Sequence, residues 1–206
     1  MDEILANIGY VFLSINLLLF LNGFSRNGKA FKIFTVYTAV IFMIQFISAI
    51  LFEYKMNNLY LSHAYFILQF VLLSFFYLEI LKEKIQRKIV LYALYICPLI
   101  LALQYYNDPE LFFKFNLFEI FITSFLLIVY ATFYLYNLLT EKKLFYYINL
   151  GLLLYMFGST VLFLVGNLVV SFGPKFDEIS WILNAGLYII YQLFILYDYK
   201  IMLKKS

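Results

Sequence analysis

The chain is poor in the residues from which most active sites are built. It has one cysteine, Cys97, and one histidine, His63, in 206 residues. A single cysteine excludes an intrachain disulfide. Cys97 lies within an apolar run, where a small buried hydrophobe is the natural reading. A single histidine excludes a three-histidine zinc site within this chain. It likewise excludes histidine-rich di-iron centres and two-histidine haem ligation. The glycine-rich phosphate loop G-x-x-x-x-G-K-[ST], the dinucleotide motif G-x-G-x-x-G and the nucleophile elbow G-x-S-x-G are all missing. No cofactor and no metal are expected.

Charge is scarce as well. Asp, Glu, Lys and Arg make up 13% of the chain, against about a quarter in an ordinary soluble domain. Hydrophobic residues make up 65%, and the mean hydropathy is +0.90. A soluble domain of this size leaves much of its surface in water. This composition cannot supply that surface, so lipid is the expected solvent for most of the chain.

What is present is a series of long apolar runs. A hydrocarbon core of about 30 Å needs roughly 20 apolar residues as a helix. Seven segments qualify: 4–23, 33–52, 60–81, 89–106, 117–139, 146–171 and 180–202. The runs do not alternate apolar and polar residues, as barrel strands would. Backbone groups in lipid must then be satisfied within helices. The expected fold is all-α: a single seven-helix transmembrane domain spanning residues 1–206. Asp2 and Glu3 have the wrong sign for a signal peptide, so the first run reads as a retained helix. Pro98 predicts a kink in the fourth.

Basic residues favour the cytoplasmic side of a membrane. Twelve of the 15 fall on one side: Arg26, Lys29, Lys32, Lys82, Lys84, Arg87, Lys88, Lys142, Lys143, Lys200, Lys204 and Lys205. Lys55, Lys114 and Lys175 fall on the other, with Asp2, Glu3, Glu53, Asp108, Glu110, Asp177 and Glu178. The alternation predicts an outside N-terminus, a cytoplasmic C-terminus and residence in the cell (inner or plasma) membrane. The net charge of +3 is thus a topology signal, and nucleic acid is not an expected partner.

The topology is that of rhodopsins and G-protein-coupled receptors, but their residues are missing. The last helix has no lysine in its interior for retinal, and D-R-Y and N-P-x-x-Y motifs are absent. No Pro-Gln pair of the SWEET and PQ-loop type occurs. A three-plus-one-plus-three repeat would align Tyr77-Leu78-Glu79 with Leu196-Tyr197-Asp198, a match of only a few residues at a membrane boundary.

Tyrosine and tryptophan favour the membrane interface. That assigns Tyr54, Tyr60, Tyr105, Tyr106 and Trp181 to the outer boundary. Tyr77, Tyr146, Tyr147, Tyr197 and Tyr199 go to the inner one.

The candidate functional residues are the polar groups within the runs, because such groups are costly in lipid. In the last helix Asn184, Tyr188, Tyr191 and Asp198 share roughly 80° of arc, with Gln192 beside them. Gln45, Gln69, Ser159 and Gln192 fall near the midplane of four different helices. If these groups converge, they form an uncharged ligand site; if they meet in pairs, they tie helices together. His63 and Glu119, near the outer ends of the third and fifth helices, are candidates for sensing pH or binding a cation, or for simply reaching interfacial water. Glu79 and Asp198 are expected to pair with nearby lysines. Gly151, Gly158 and Gly166 share one face of the sixth helix and predict close packing.

Three functions are compatible with this inventory. The first is a non-enzymatic sensor or signalling subunit. It would pass its signal to a membrane or cytoplasmic partner through Lys82, Lys84, Arg87 and Lys88, which also suit lipid headgroups. The second is a small-solute or lipid transporter with an uncharged midplane site. The third, ranked last for want of convergent acids, is an intramembrane lipid-modifying enzyme.

Overall fold

The computed structural model describes residues 2–139, 144–168 and 174–203. Seven helices are long and apolar enough to cross a membrane, and no strand occurs among the described residues. They are α1 (Asp2–Gly23), α2 (Lys29–Glu53), α3 (Tyr60–Ile80), α4 (Lys84–Asn107), α5 (Leu117–Asn137), α6 (Tyr146–Leu168) and α7 (Pro174–Leu203). A short 3-10 turn, Pro109–Phe113, links α4 to α5. This is the expected seven-helix bundle of an integral membrane protein.

Several helices overrun their apolar segments. α4 starts at Lys84 rather than residue 89, because Lys84, Gln86, Arg87 and Lys88 are good helix formers. α7 begins at Pro174, since proline suits the first helical position. α4 runs through Pro98 as one continuous helix. Residues 169–171, expected to end the sixth helix, lie outside the described residues.

Six helices form a closed ring in the order α1–α2–α3–α5–α6–α7, with α7 packing back on α1. α4 sits outside it, against α3 and α5. We call the end where α1 begins the N-terminal face.

Local chemistry sets the helix ends. α2 stops where Lys55 takes a left-handed conformation (φ 55°), with Lys55 N–H donating to Phe52 O and Met56 N–H to Leu51 O. The Arg87 guanidinium donates to the carbonyls of Leu78 and Leu81, closing α3. Asn116 caps α5 by accepting the Glu119 N–H at 3.2 Å. Asp198 reaches from α7 to accept the Ile148 N–H at 2.9 Å, placing a carboxylate where the first turn of α6 exposes donors. Glu79 pairs with Lys29 at 2.9 Å, as expected.

α6 and α7 approach closely along the expected glycine face. A Cβ on Gly151 would lie 2.7 Å from the Phe194 Cβ, and one on Gly158 would lie 2.6 Å from Leu187. The side-chain surroundings of Gly166 lie outside the described residues.

The half of the ring farthest from the N-terminal face is aromatic. Phe20 stacks on Phe31 at 4.7 Å and also meets Phe34 and Tyr199. Phe34 meets Phe76, which meets Phe145. Two residues assigned to the interface belong to this core instead. Tyr77 is fully buried and donates to Asn149 at 2.7 Å. Tyr199 is buried against Phe20. Tyrosine is amphipathic, so a ring near a helix end turns inward when a buried acceptor or ring is waiting. Tyr54 and Tyr106 are exposed, as an interfacial role requires.

Gly151→Val tests the close α6–α7 packing. The Phe194 Cβ is fixed to backbone and cannot move aside, so overpacking should cost about 1–3 kcal/mol. The check is a lower thermal unfolding midpoint in detergent, with Leu153→Val on the same helix as the control.

Candidate functional site

Two polar constellations lie in the N-terminal half of the bundle. The larger is a cavity of about 440 Å³ between α1, α2 and α7, with Tyr155 of α6 contributing from within the ring. Its polar lining includes Tyr10, Gln45, Ser48, Glu53, Asn58 and Asn184. Its aromatic walls are Tyr10, Phe52, Tyr155, Trp181 and Tyr188. The Tyr10 hydroxyl donates to Gln45 Oε1 at 3.4 Å, linking α1 to α2. Asn58 donates to the carbonyl and hydroxyl of Ser48, holding the α2–α3 turn over the end of α2. Tyr155 and Tyr188 meet edge to face at 5.5 Å.

Two polar atoms on lining residues, Asn184 Oδ1 and the Tyr188 hydroxyl, are fully enclosed behind the wall and have no hydrogen-bond partner. The Tyr188 hydroxyl lies near Gln192 without meeting hydrogen-bond geometry. An enclosed polar atom left unpaired costs about 1–3 kcal/mol.

Below the cavity the polar side chains pair off. Gln69 donates to the Tyr37 hydroxyl at 3.1 Å and, more weakly, to Tyr65 at 3.5 Å. Tyr65 and Tyr155 hydroxyls lie 3.4 Å apart, and Tyr191 donates to Tyr37 at 3.5 Å. Asn16 donates to both the backbone carbonyl and Oε1 of Gln192, at 2.9 and 2.8 Å. Tyr155 and Tyr191 stack in parallel. This layer joins α1, α2, α3, α6 and α7 with almost no exposure to solvent.

The sequence-selected residues thus divide. Gln45, Asn184 and Tyr188 line the cavity. Gln69, Tyr191 and Gln192 make dry interhelical pairs in the layer beneath. Ser159 is buried one helical turn from Tyr155. The four midplane residues do not converge on one point, because Gln45 sits nearer the N-terminal face than Gln69 and Gln192.

The second constellation joins α3, α4 and α5. His63 Nδ1 lies 3.1 Å from Glu119 Oε1, and both residues are almost fully enclosed. The Tyr105 hydroxyl donates to Glu119 Oε2 at 2.5 Å and lies 2.8 Å from His63 Nδ1. Asn116 donates to Tyr105 at 3.3 Å and to Gln104 at 3.1 Å. His63 Nε2 is buried without a partner. The Phe112 ring covers the imidazole at 5.6 Å. Neither His63 nor Glu119 reaches interfacial water; together with Tyr105 they clamp the peripheral α4 to the ring. Nearby, Lys114 bonds Glu110 at 2.6 Å and holds its carboxyl below the usual range.

At the opposite end Lys84 and Lys88 are exposed. Arg87 is engaged with the α3 carbonyls, and Lys82 also has a partner. Sequence reasoning passed over Asn16, Tyr37, Tyr65 and Tyr155. Asn16 was the detectable one, as the only amide deep within the first apolar run. The tyrosines were masked by the abundance of aromatics.

Glu119→Ala leaves His63 and Tyr105 without their shared acceptor, and should cost about 3–5 kcal/mol. Glu119→Gln retains one acceptor oxygen and should lose less than half of that. Thermal unfolding in detergent ranks the two; equal losses would contradict the clamp.

No protein-family model, curated protein or solved structure matches the chain.

Proposed function

We propose that the chain is the membrane-embedded, non-enzymatic sensing subunit of a signalling pair, with the cavity at the N-terminal face as its ligand site. The observation that carries this reading is the cavity itself. It has the volume of a small-molecule site, which runs from about 300 to 1,000 Å³. Its walls mix aromatic rings with a few polar groups. Three of its lining residues were selected for polarity and helical face alone.

A sensor is favoured over a transporter by what lies beneath. Transporter sites are typically built at broken helices near the midplane. Here α1 to α5 are continuous, as are the described stretches of α6 and α7. The tyrosine and amide layer, then the phenylalanine layer, close the path toward the other face. The cavity borders α1, α2 and α7, and the same three helices are tied below it by Asn16–Gln192 and Tyr37–Tyr191. A ligand that re-angles α7 strains those bonds and moves the far ends of the helices. A partner at that face would read the shift, with the exposed Lys84 and Lys88 as its contacts. The distribution of basic residues supports a cytoplasmic position for that face and an outside position for the cavity.

Cysteine accessibility tests the reading. Cys97 is buried, so Cys97→Ala supplies a thiol-free background. In it, Ser48→Cys should react with a membrane-impermeant methanethiosulfonate from the extracellular side of intact cells, and not from the cytoplasmic side of inverted vesicles. Reaction from both sides indicates alternating access and a transporter. Reaction from the cytoplasmic side alone reverses the orientation, and no reaction from either side removes the open cavity.

A further inference from the structure

The cavity contains more information about its ligand than its size. Among the described residues lining it, Glu53 is the only charged one. Five aromatic side chains, Tyr10, Phe52, Tyr155, Trp181 and Tyr188, surround the space. The described helix ends beside it contain Glu53 and Glu178, against Lys55. A local excess of this sign favours cations over anions at the opening.

The interior has the same preference. Aromatic faces carry negative charge density and attract ammonium groups, an interaction of about 0.5–2 kcal/mol that strengthens with desolvation. The Glu53 carboxylate adds a charged acceptor to the same wall, where an anion would meet like charge.

We infer that the ligand is a small organic ammonium compound with an apolar body, its cationic group directed toward Glu53 and the aromatic walls. This rests on the cavity being a ligand site, and it adds the charge and chemical class of the occupant. In this assignment the ammonium group sits toward Glu53 and Trp181 near the helix ends, and the apolar body packs deeper, toward Ala49, Ala185, Tyr10 and the Tyr155–Tyr188 pair.

The protein contains its own reporter. Trp181 is the only tryptophan in the chain and it lines the cavity, so intrinsic tryptophan emission reads occupancy without a label. The test titrates the full chain in lipid nanodiscs with three compounds of one shape at pH 7: cyclohexylmethylamine, which is an ammonium ion there, neutral cyclohexylmethanol and anionic cyclohexanecarboxylate. The ammonium compound should change Trp181 emission saturably, and the other two should not at the same concentrations. Glu53→Gln should weaken the ammonium response roughly fivefold, the scale of a solvent-accessible charge pair, without altering the thermal midpoint. An equal or stronger response to the alcohol or the carboxylate overturns the assignment. So does an absent response to all three, or an ammonium response indifferent to Glu53→Gln. Labelling of Ser48→Cys decides separately whether the cavity is open, so the ligand class can fail while the sensing reading stands.

Discussion

A side chain inside this bundle cannot turn to solvent for a hydrogen bond. Lipid tails offer none, and they are as apolar as the helix surfaces they cover, so no hydrophobic force drives the helices together. Association must come from close packing and from polar groups meeting one another. The ring meets that demand with a layer of amides and tyrosines. Asn16 with Gln192, Gln69 with Tyr37, and Tyr191 with Tyr37 tie helices distant in sequence. Each such bond is worth about 0.6 kcal/mol on average. Their importance is positional, because they set which helix faces meet and at what depth.

The same constraint explains the difference between the two ends of the bundle. In the tyrosine and amide layer the polar groups meet one another, the interior is dry, and phenylalanine rings fill the space beyond. Nearer the N-terminal face the interior opens into the cavity lined by Gln45, Asn184 and Tyr188. The His63–Tyr105–Glu119 clamp obeys the rule from another direction. It buries a carboxylate only where two donors on two other helices converge on it, and so fastens α4, the helix outside the ring.

Much of this architecture was legible in the sequence. The seven apolar runs mark the helices to within a few residues, because the bilayer sets their length. The errors fall at helix ends such as Lys84 and Pro174, where water rather than lipid surrounds the chain and propensity decides. Three of the cavity's lining residues, Gln45, Asn184 and Tyr188, could be picked out by polarity and helical face. Depth could not. Gln45 and Gln69 look equivalent in hydropathy, yet one lines the cavity and the other lies in the dry layer, since relative helix offsets are a property of packing. Tyr77 and Tyr199 were misassigned for a related reason. Near a helix end, the choice between interface and core depends on whether a partner such as Asn149 or Phe20 waits inside, and that is a long-range fact. The Glu119 clamp was visible as a His–Glu pairing, but its burial and the part played by Tyr105 were not.

The central claim is that water enters from one face, reaches the cavity and stops at the tyrosine and amide layer. Hydroxyl-radical footprinting of the unmodified protein in nanodiscs measures this directly, because it oxidises aromatic side chains in proportion to their contact with water. The account predicts oxidation at Tyr10 and Trp181 in the cavity wall, and protection of Tyr37, Tyr77, Tyr130 and Tyr191. Oxidation of Tyr191 and Tyr77 at rates comparable to Tyr10 would reveal a continuous aqueous path and contradict it.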